Sequence, residues 1–80
     1  MSDWSLCLRR HIAENECKLK LKELDIIRRE KVELQWVNIT DNRKQRINIQ
    51  IMMDKLEVRL IELELEDLRM ELEKENTKTH

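Results

Sequence analysis

The 80-residue sequence contains no glycine, proline, phenylalanine or tyrosine, and 41% of its residues are charged. Glycine and proline are the residues that most readily form tight turns or stop a helix, so their absence leaves long uninterrupted helices as the default conformation. A composition rich in Leu, Glu, Lys and Arg is typical of coiled coils. We therefore predict an all-α chain with few breaks.

Long hydrophobic runs are also missing. No apolar stretch approaches the ~20 residues that are needed to cross a bilayer. Near the N-terminus, Asp3, Arg9 and Arg10 interrupt the segment in which a signal peptide would carry its apolar core. The two cysteines, Cys7 and Cys17, fit a reducing compartment. We expect an intracellular protein, in the cytoplasm or nucleus, with no membrane partner.

The sequence offers little of what an enzyme requires. Without a glycine-rich loop there is no cradle for a phosphate group. Cys7 and His11 lie one helical turn apart and could share a metal ion with Cys17, but no Cys-x-x-Cys or His-Glu-x-x-His spacing completes a zinc site. We predict no enzymatic activity, no catalytic or metal-binding residues and no cofactor.

Helix-favouring sequence falls into two long segments. We predict helices over about residues 5–38 and 43–76, within a single helical module that covers residues 1–80. Four poor helix formers lie in the five positions between Asn38 and Asn42, which predicts a break near 38–43.

The break can be made in more than one way. Asparagine is the usual substitute for glycine in the left-handed conformation, and Asn38 or Asn42 could adopt it. Asn42 with Gln45 also has the form of a capping box. A break gives a helical hairpin with arms of roughly 50 Å, whereas its absence gives a near-continuous rod of ~120 Å. We favour the hairpin and keep the rod as an alternative.

A strand hairpin in the middle of the chain is a second alternative. Residues 32–40 and 46–52 alternate apolar and polar side chains and are rich in Val, Ile and Thr, which is the pattern of half-buried strands. Asp41 and Asn42 would then form the turn of an α-β-β-α arrangement. The helix-forming flanks and the lack of glycine at that turn favour the all-α prediction.

Apolar side chains of the second predicted helix fall on two nearly opposite sides, at about 100° per residue. One stripe consists of Ile49, Met53, Leu56, Leu60 and Leu63, and the other of Val58, Ile61, Leu65, Leu68 and Leu72. The first helix repeats this pattern more weakly, with Leu6, Ala13, Cys17, Leu24, Ile27 and Leu34 on one side and Leu8, Ile12, Leu19, Ile26 and Val37 on the other. Steps of three and four residues are the spacing of a coiled-coil seam. Two seams per helix predict neighbours on both sides, as in a coiled-coil bundle.

Self-association follows from size as well as from pattern. A compact chain of this length buries only ~60% of the surface that its unfolded form exposes, so a partner adds needed stability. We predict a homo-oligomer, dimer or tetramer, or a complex with another helical protein. The predicted interface residues are Leu24, Ile27, Leu34, Trp36, Ile49, Met53, Leu56, Leu60, Ile61, Leu63, Leu65, Leu68 and Leu72.

The polar residues from Glu75 to His80 lead us to expect a piece of a larger protein or a small adaptor. The predicted function is a non-enzymatic oligomerisation or scaffold module.

Charge is distributed unevenly along the chain. Residues 1–46 contain eleven Lys and Arg against eight acids, and residues 47–80 contain five against nine, so the two halves are complementary. The basic residues of the N-terminal half suggest an alternative function, a dimeric nucleic-acid-binding protein of the transcription-regulator type. Acidic residues such as Glu23 and Glu30 are interspersed among them and would repel phosphates, so nucleic acid is not the partner we expect.

Overall fold

Two long antiparallel helices form the structure, a computed structural model that describes residues 3–78. Helix α1 spans Asp3–Lys31, a single 3-10 turn spans Glu33–Gln35, and helix α2 spans Asp41–Lys78. No strand occurs within residues 3–78, so the α-β-β-α alternative is wrong. The all-α prediction is confirmed, in its hairpin form.

The hairpin is long and narrow. Its principal extents are 62, 14 and 14 Å, and its radius of gyration is 18.0 Å. A compact chain of 80 residues would have a radius of gyration of about 12 Å. The two helices therefore meet along one line of contact, and most of the surface of each helix faces outward.

Helix α1 ends at Lys31, seven residues before its predicted end at residue 38. The N–H of Gln35 donates to the carbonyl of Val32 at 3.1 Å, a contact that tightens the chain into the 3-10 turn. Trp36 then adopts an extended backbone, with φ −64° and ψ 139°. Residues 32–39 are rich in β-branched and aromatic side chains, which favour the helix less than the residues before them. Val37, predicted to lie on a helical stripe, is instead 88% exposed in the connection.

The reversal between the helices depends on Asn38 and Thr40. Asn38 has a φ of 66°, the left-handed conformation expected for asparagine at this break. The Thr40 hydroxyl accepts a hydrogen bond from the N–H of Arg43 at 3.2 Å and so caps α2. The helix begins at Asp41, two residues earlier than predicted, and its cap is Thr40 rather than the predicted pair of Asn42 and Gln45.

One face of each helix forms the contact within the chain, which we term the hairpin seam. Its most buried apolar residues are Leu8 and Ile26 on α1 and Ile51 and Leu65 on α2. Half-buried apolar residues extend it, namely Ile12, Leu19, Val58, Ile61, Leu68 and Leu72. The second predicted stripe of α2 is thus the side that packs against α1.

A buried carboxylate lies within this apolar seam. Asp54 is 0% exposed, and its Oδ1 accepts hydrogen bonds from Lys22 Nζ at 3.3 Å and from Gln50 Nε2 at 3.1 Å. Its Oδ2 accepts a hydrogen bond from Arg29 Nη1. A buried charge is tolerated when it is paired and hydrogen-bonded in this way. Displacing the helices by one turn would separate Asp54 from Lys22 and Arg29, so the cluster favours one alignment of α1 on α2.

Further ion pairs join the helices at the rim of the seam. Lys22 also contacts Glu57, with 2.9 Å between Nζ and Oε2. Hydrogen bonds to Glu57 and to Asp54 raise the pKa of Lys22 above its ordinary value of 10.5. The pair of Lys55 and Glu30, at 3.5 Å, is more exposed and is worth at most ~1 kcal/mol. Alignment therefore depends chiefly on Asp54.

Candidate interaction surface

The side of α2 that points away from the hairpin seam is apolar and exposed. We term it the α2 outer face; it consists of Ile49, Met52, Met53, Leu56, Leu60, Leu63 and Met70. Exposure within this set ranges from 41% for Leu63 to 67% for Leu56. Single exposed apolar side chains are ordinary, but an unbroken row such as the one from Ile49 to Leu63 is typical of an interaction site. Asp67 separates Met70 from this row.

Helix α1 has a weaker counterpart. The α1 outer face consists of Leu6, Ala13, Cys17, Leu21, Leu24 and Ile27, all of which are exposed. Its row is interrupted because Arg10 and Lys20 occupy the intervening positions, and Ala13 and Cys17 contribute little area. Of the two outer faces, that of α2 is the larger and more continuous apolar surface.

The two outer faces lie on opposite edges of the hairpin. On each helix the centre of the outer face is rotated by roughly 160° from the centre of the seam, at about 100° per residue. Because the seams face each other, the outer faces point in opposite directions. One flat contact with a single neighbour can therefore cover the α1 outer face or the α2 outer face, but not both.

The structure divides the thirteen predicted interface residues into three groups. Seven lie on the outer faces: Leu24, Ile27, Ile49, Met53, Leu56, Leu60 and Leu63. Leu34 and Trp36 lie in the connection, half-buried and exposed respectively. The other four belong to the hairpin seam, namely Ile61, Leu65, Leu68 and Leu72. Helix α1 of the same chain buries Leu65 and partly covers the other three, so a role for these four in a contact between chains stays a prediction.

Sequence reasoning missed part of the α2 outer face. Met52 and Met70, 64% and 53% exposed, widen and lengthen the row but were not assigned to it. Met52 lies four residues before Leu56 and Met70 lies seven residues after Leu63, so helical spacing could have identified both. Methionine adapts its shape easily and is common at interaction surfaces.

Trp36 lies at the closed end of the hairpin and is 53% exposed. The Arg43 guanidinium carbon lies 5.6 Å from the centre of the Trp36 ring, the geometry of a cation–π contact. The indole thus packs against the first turn of α2 and does not enter the seam. Trp36 remains accessible to a partner that approaches this end.

The concave surfaces are open grooves between the helices. One of them has a volume of about 440 Å³ and is lined by apolar residues such as Leu19 and Leu65 and by charged residues such as Glu16 and Arg69. Across residues 3–78 no three His, Cys, Asp or Glu side chains are grouped as a metal ion would require. Cys7 and Cys17 are exposed free thiols. Neither described helix combines the length and the hydropathy that a membrane-spanning segment requires.

Several basic residues of α1 are engaged within the chain. Lys22 and Arg29 both contact Asp54, and Arg28 lies 3.6 Å from Asp25. These contacts reduce the positive charge that α1 could present to a phosphate backbone.

Comparison with known proteins assigns no family to the chain. No family model, no curated protein and no solved structure matches it. A function for the chain therefore has to be argued from its own residues and geometry.

Proposed function

We propose that the chain is a non-enzymatic helical module that acts by associating with other helices, first of all with copies of itself. The observation that carries this proposal is the α2 outer face, seven large apolar side chains that remain exposed after the hairpin has formed. Leaving such a row in water is unfavourable. Complete burial of a fully exposed side chain of this size contributes ~1.5 to 3 kcal/mol, and each of these seven, 41% to 67% exposed, can still gain part of that amount. Association with another helix is the simplest way to remove the α2 outer face from water.

The weakness of the isolated hairpin supports the same proposal. Only four apolar residues among those described are buried, and two helices in a single layer enclose no further core. Small domains of this kind usually depend on a metal ion, on disulfides or on oligomerisation. With Cys7 and Cys17 free, oligomerisation is the stabilisation that this chain's surface offers.

In this proposal the module works as a scaffold within the cell. Each hairpin holds the start of α1 and the end of α2 at the same end of a rod, so an oligomer would bring together whatever is attached to or bound by that end. Specificity would come from the complementary charges that surround the apolar faces, because charged pairs select partners more than they add affinity.

Nucleic-acid binding is the second candidate function, and fewer exposed basic residues support it than the sequence suggested. Lys22 and Arg29, two of the basic residues on which it relied, are occupied by Asp54. The cluster of Arg43, Lys44 and Arg46 at the start of α2 remains exposed. Binding through phosphate contacts would weaken steeply with salt, so duplex affinity at low salt that disappears at high salt would favour this candidate.

Sedimentation equilibrium over a wide range of concentrations tests the proposal. We expect the purified chain to have a mass of two or more chains, and Leu56→Ser with Leu60→Ser to weaken association by at least about 100-fold. A matched control, Lys55→Ser with Arg59→Ser, changes two exposed residues of the same helix segment that are not on the outer face. Circular dichroism verifies that all three proteins are helical. A helical wild-type chain that stays monomeric at millimolar concentration would contradict the proposal.

A further inference from the structure

We infer that the α2 outer face is covered by the same face of a second copy, with the two α2 helices antiparallel and a two-fold axis close to Leu56. This inference rests on the proposed function and adds the face, the partner and the orientation. The four helices would then lie in the order α1, α2, α2 of the second copy and α1 of the second copy.

The size of the α2 outer face suits a dimer. Complete burial of one Leu, Ile or Met side chain removes roughly 60 to 120 Å² from water. The seven members are already partly covered, so pairing would remove on the order of 350 Å² of apolar surface per copy. Interfaces are a little over half apolar, which corresponds to about 650 Å² per copy in total. Stable complexes bury ~800 Å² per partner, a comparable area.

The α1 outer face does not offer an equivalent contact. Arg10 and Lys20 lie within its row, and two copies paired through it would bring these like charges together. The α2 outer face is free of charged positions from Ile49 to Leu63. A self-pairing contact therefore favours α2.

Charge along α2 selects the antiparallel orientation. Its start carries three basic residues and no acid in positions 43–46, whereas positions 62–75 carry seven acids and two basic residues. Parallel pairing would align acidic segment with acidic segment and basic with basic. Antiparallel pairing places the basic start of each helix beside the acidic segment of the other, and opposite charges stabilise the correct register.

The spacing of the outer face fixes where the axis lies. Leu56 is midway between Ile49 and Leu63, so a two-fold axis at Leu56 places Ile49 opposite Leu63 of the second copy. The same axis places Met52 at the level of Leu60 and Arg46 at the level of Glu66 of the second copy. A self-complementary contact of this kind closes on itself and yields a dimer rather than a filament.

Distances between spin labels test the orientation. In a background with Cys7→Ser and Cys17→Ser, one protein carries a label at Gln45→Cys and another at Arg59→Cys. At 1.5 Å per residue, an axis at Leu56 separates two labels at position 45 by more than about 30 Å and brings two labels at position 59 within about 20 Å. Sedimentation of the labelled proteins verifies the dimer, and circular dichroism verifies the helices.

Each outcome is informative. Short distances at both positions would show parallel pairing, and long distances at both would show a contact through α1 or between α1 and α2; either result overturns the inference but leaves self-association in place. A protein that is monomeric under all conditions, with no distance between labels, overturns the proposed function as well. A long distance at position 45 with a short one at position 59 is the result we expect.

An independent readout uses Cys17, an exposed thiol on the α1 outer face. In the antiparallel α2 dimer this face stays in contact with water, so wild-type Cys17 should react with a maleimide equally fast in dilute and concentrated protein. The Cys7→Ser variant isolates its signal. Slower reaction at high concentration would show that the α1 outer face is covered and would contradict the inference.

Discussion

The guanidinium of Arg29 donates a hydrogen bond to the fully buried carboxylate of Asp54, which lies 25 positions further along the chain on the opposite helix. Among the described residues Asp54 is the only charged one that is buried. An apolar seam alone tolerates sliding, because one leucine can replace another. A buried carboxylate that is bound by two cations does not allow the helices to slide. The pair of Arg29 and Asp54 therefore fixes how α1 lies against α2.

We expect Asp54→Asn to lower the free energy of unfolding by about 3 kcal/mol, because Lys22 and Arg29 lose their shared counter-charge inside the seam. This value is at the lower end for a buried pair, since both cations are partly exposed. Urea denaturation at low protein concentration measures it. Glu62→Gln, an exposed acid of the same helix, should change stability by less than about 0.5 kcal/mol. Equal stability of the two variants would rule out the role given to Asp54.

The hydrogen bonds of Lys22 to Glu57 and Asp54 predict that the hairpin loses stability at high pH. Hydrogen bonds to Glu57 and Asp54 raise the pKa of Lys22 above 10.5, so the folded state holds this proton more tightly than the unfolded state. The stabilisation is complete below pH 10.5 and is lost as the pH rises through the folded-state pKa. The difference in melting temperature between the wild type and Lys22→Gln should therefore shrink at more alkaline pH. Lys20→Gln serves as the control, and a pH-independent difference would contradict this assignment.

The fold was largely predictable from composition and spacing. A chain without glycine or proline has few ways to leave a helix, and the weak helix formers around Asn38 identify where the described part of the chain does so. The end of α1 was not predictable, because Val32 and its neighbours are compatible with a helix. Their 3-10 and extended conformations depend on the reversal of the chain and on the packing that follows it.

Sequence reasoning identified two apolar sides of α2 but did not establish which one packs within the chain. By spacing alone, Leu60 and Leu65 are equivalent members of two similar rows. The structure distinguishes them, since Leu65 is 2% exposed and Leu60 is 60% exposed. The buried position of Asp54 on the Leu65 side was also unexpected, because an aspartate in a seam becomes favourable only when Lys22 and Arg29 on α1 reach it.

The left-handed backbone of Asn38 predicts different effects for two substitutions at this position. Its φ of 66° is free of strain for glycine but costs a β-branched residue about 1 to 2 kcal/mol. Asn38→Val should therefore lower the free energy of unfolding by roughly that amount, whereas Asn38→Gly should leave it unchanged or slightly higher. Thermal unfolding followed by circular dichroism measures both. Equal destabilisation by the two variants would show that the left-handed turn is not maintained in solution.

Leu65 and Leu60 separate the stability of the hairpin from its association. Leu65→Ala removes a buried side chain of the seam and should lower the free energy of unfolding by about 3 kcal/mol, enough to unfold much of a marginal hairpin. Leu60→Ala removes an exposed side chain of the α2 outer face, so the dilute chain should keep its stability within about 0.5 kcal/mol. In the proposed dimer it should nevertheless raise the dissociation constant at least about tenfold, because the residue would be buried once in each copy.

The two readouts for this pair are urea denaturation at low concentration and sedimentation equilibrium at high concentration. We expect Leu65→Ala to lower the stability measured by urea denaturation and Leu60→Ala to weaken the association measured by sedimentation. If Leu60→Ala destabilised the dilute chain as strongly as Leu65→Ala, then the row from Ile49 to Leu63 would be packed within the chain. The assignment of one side of α2 to the seam and the other to a partner would then be wrong.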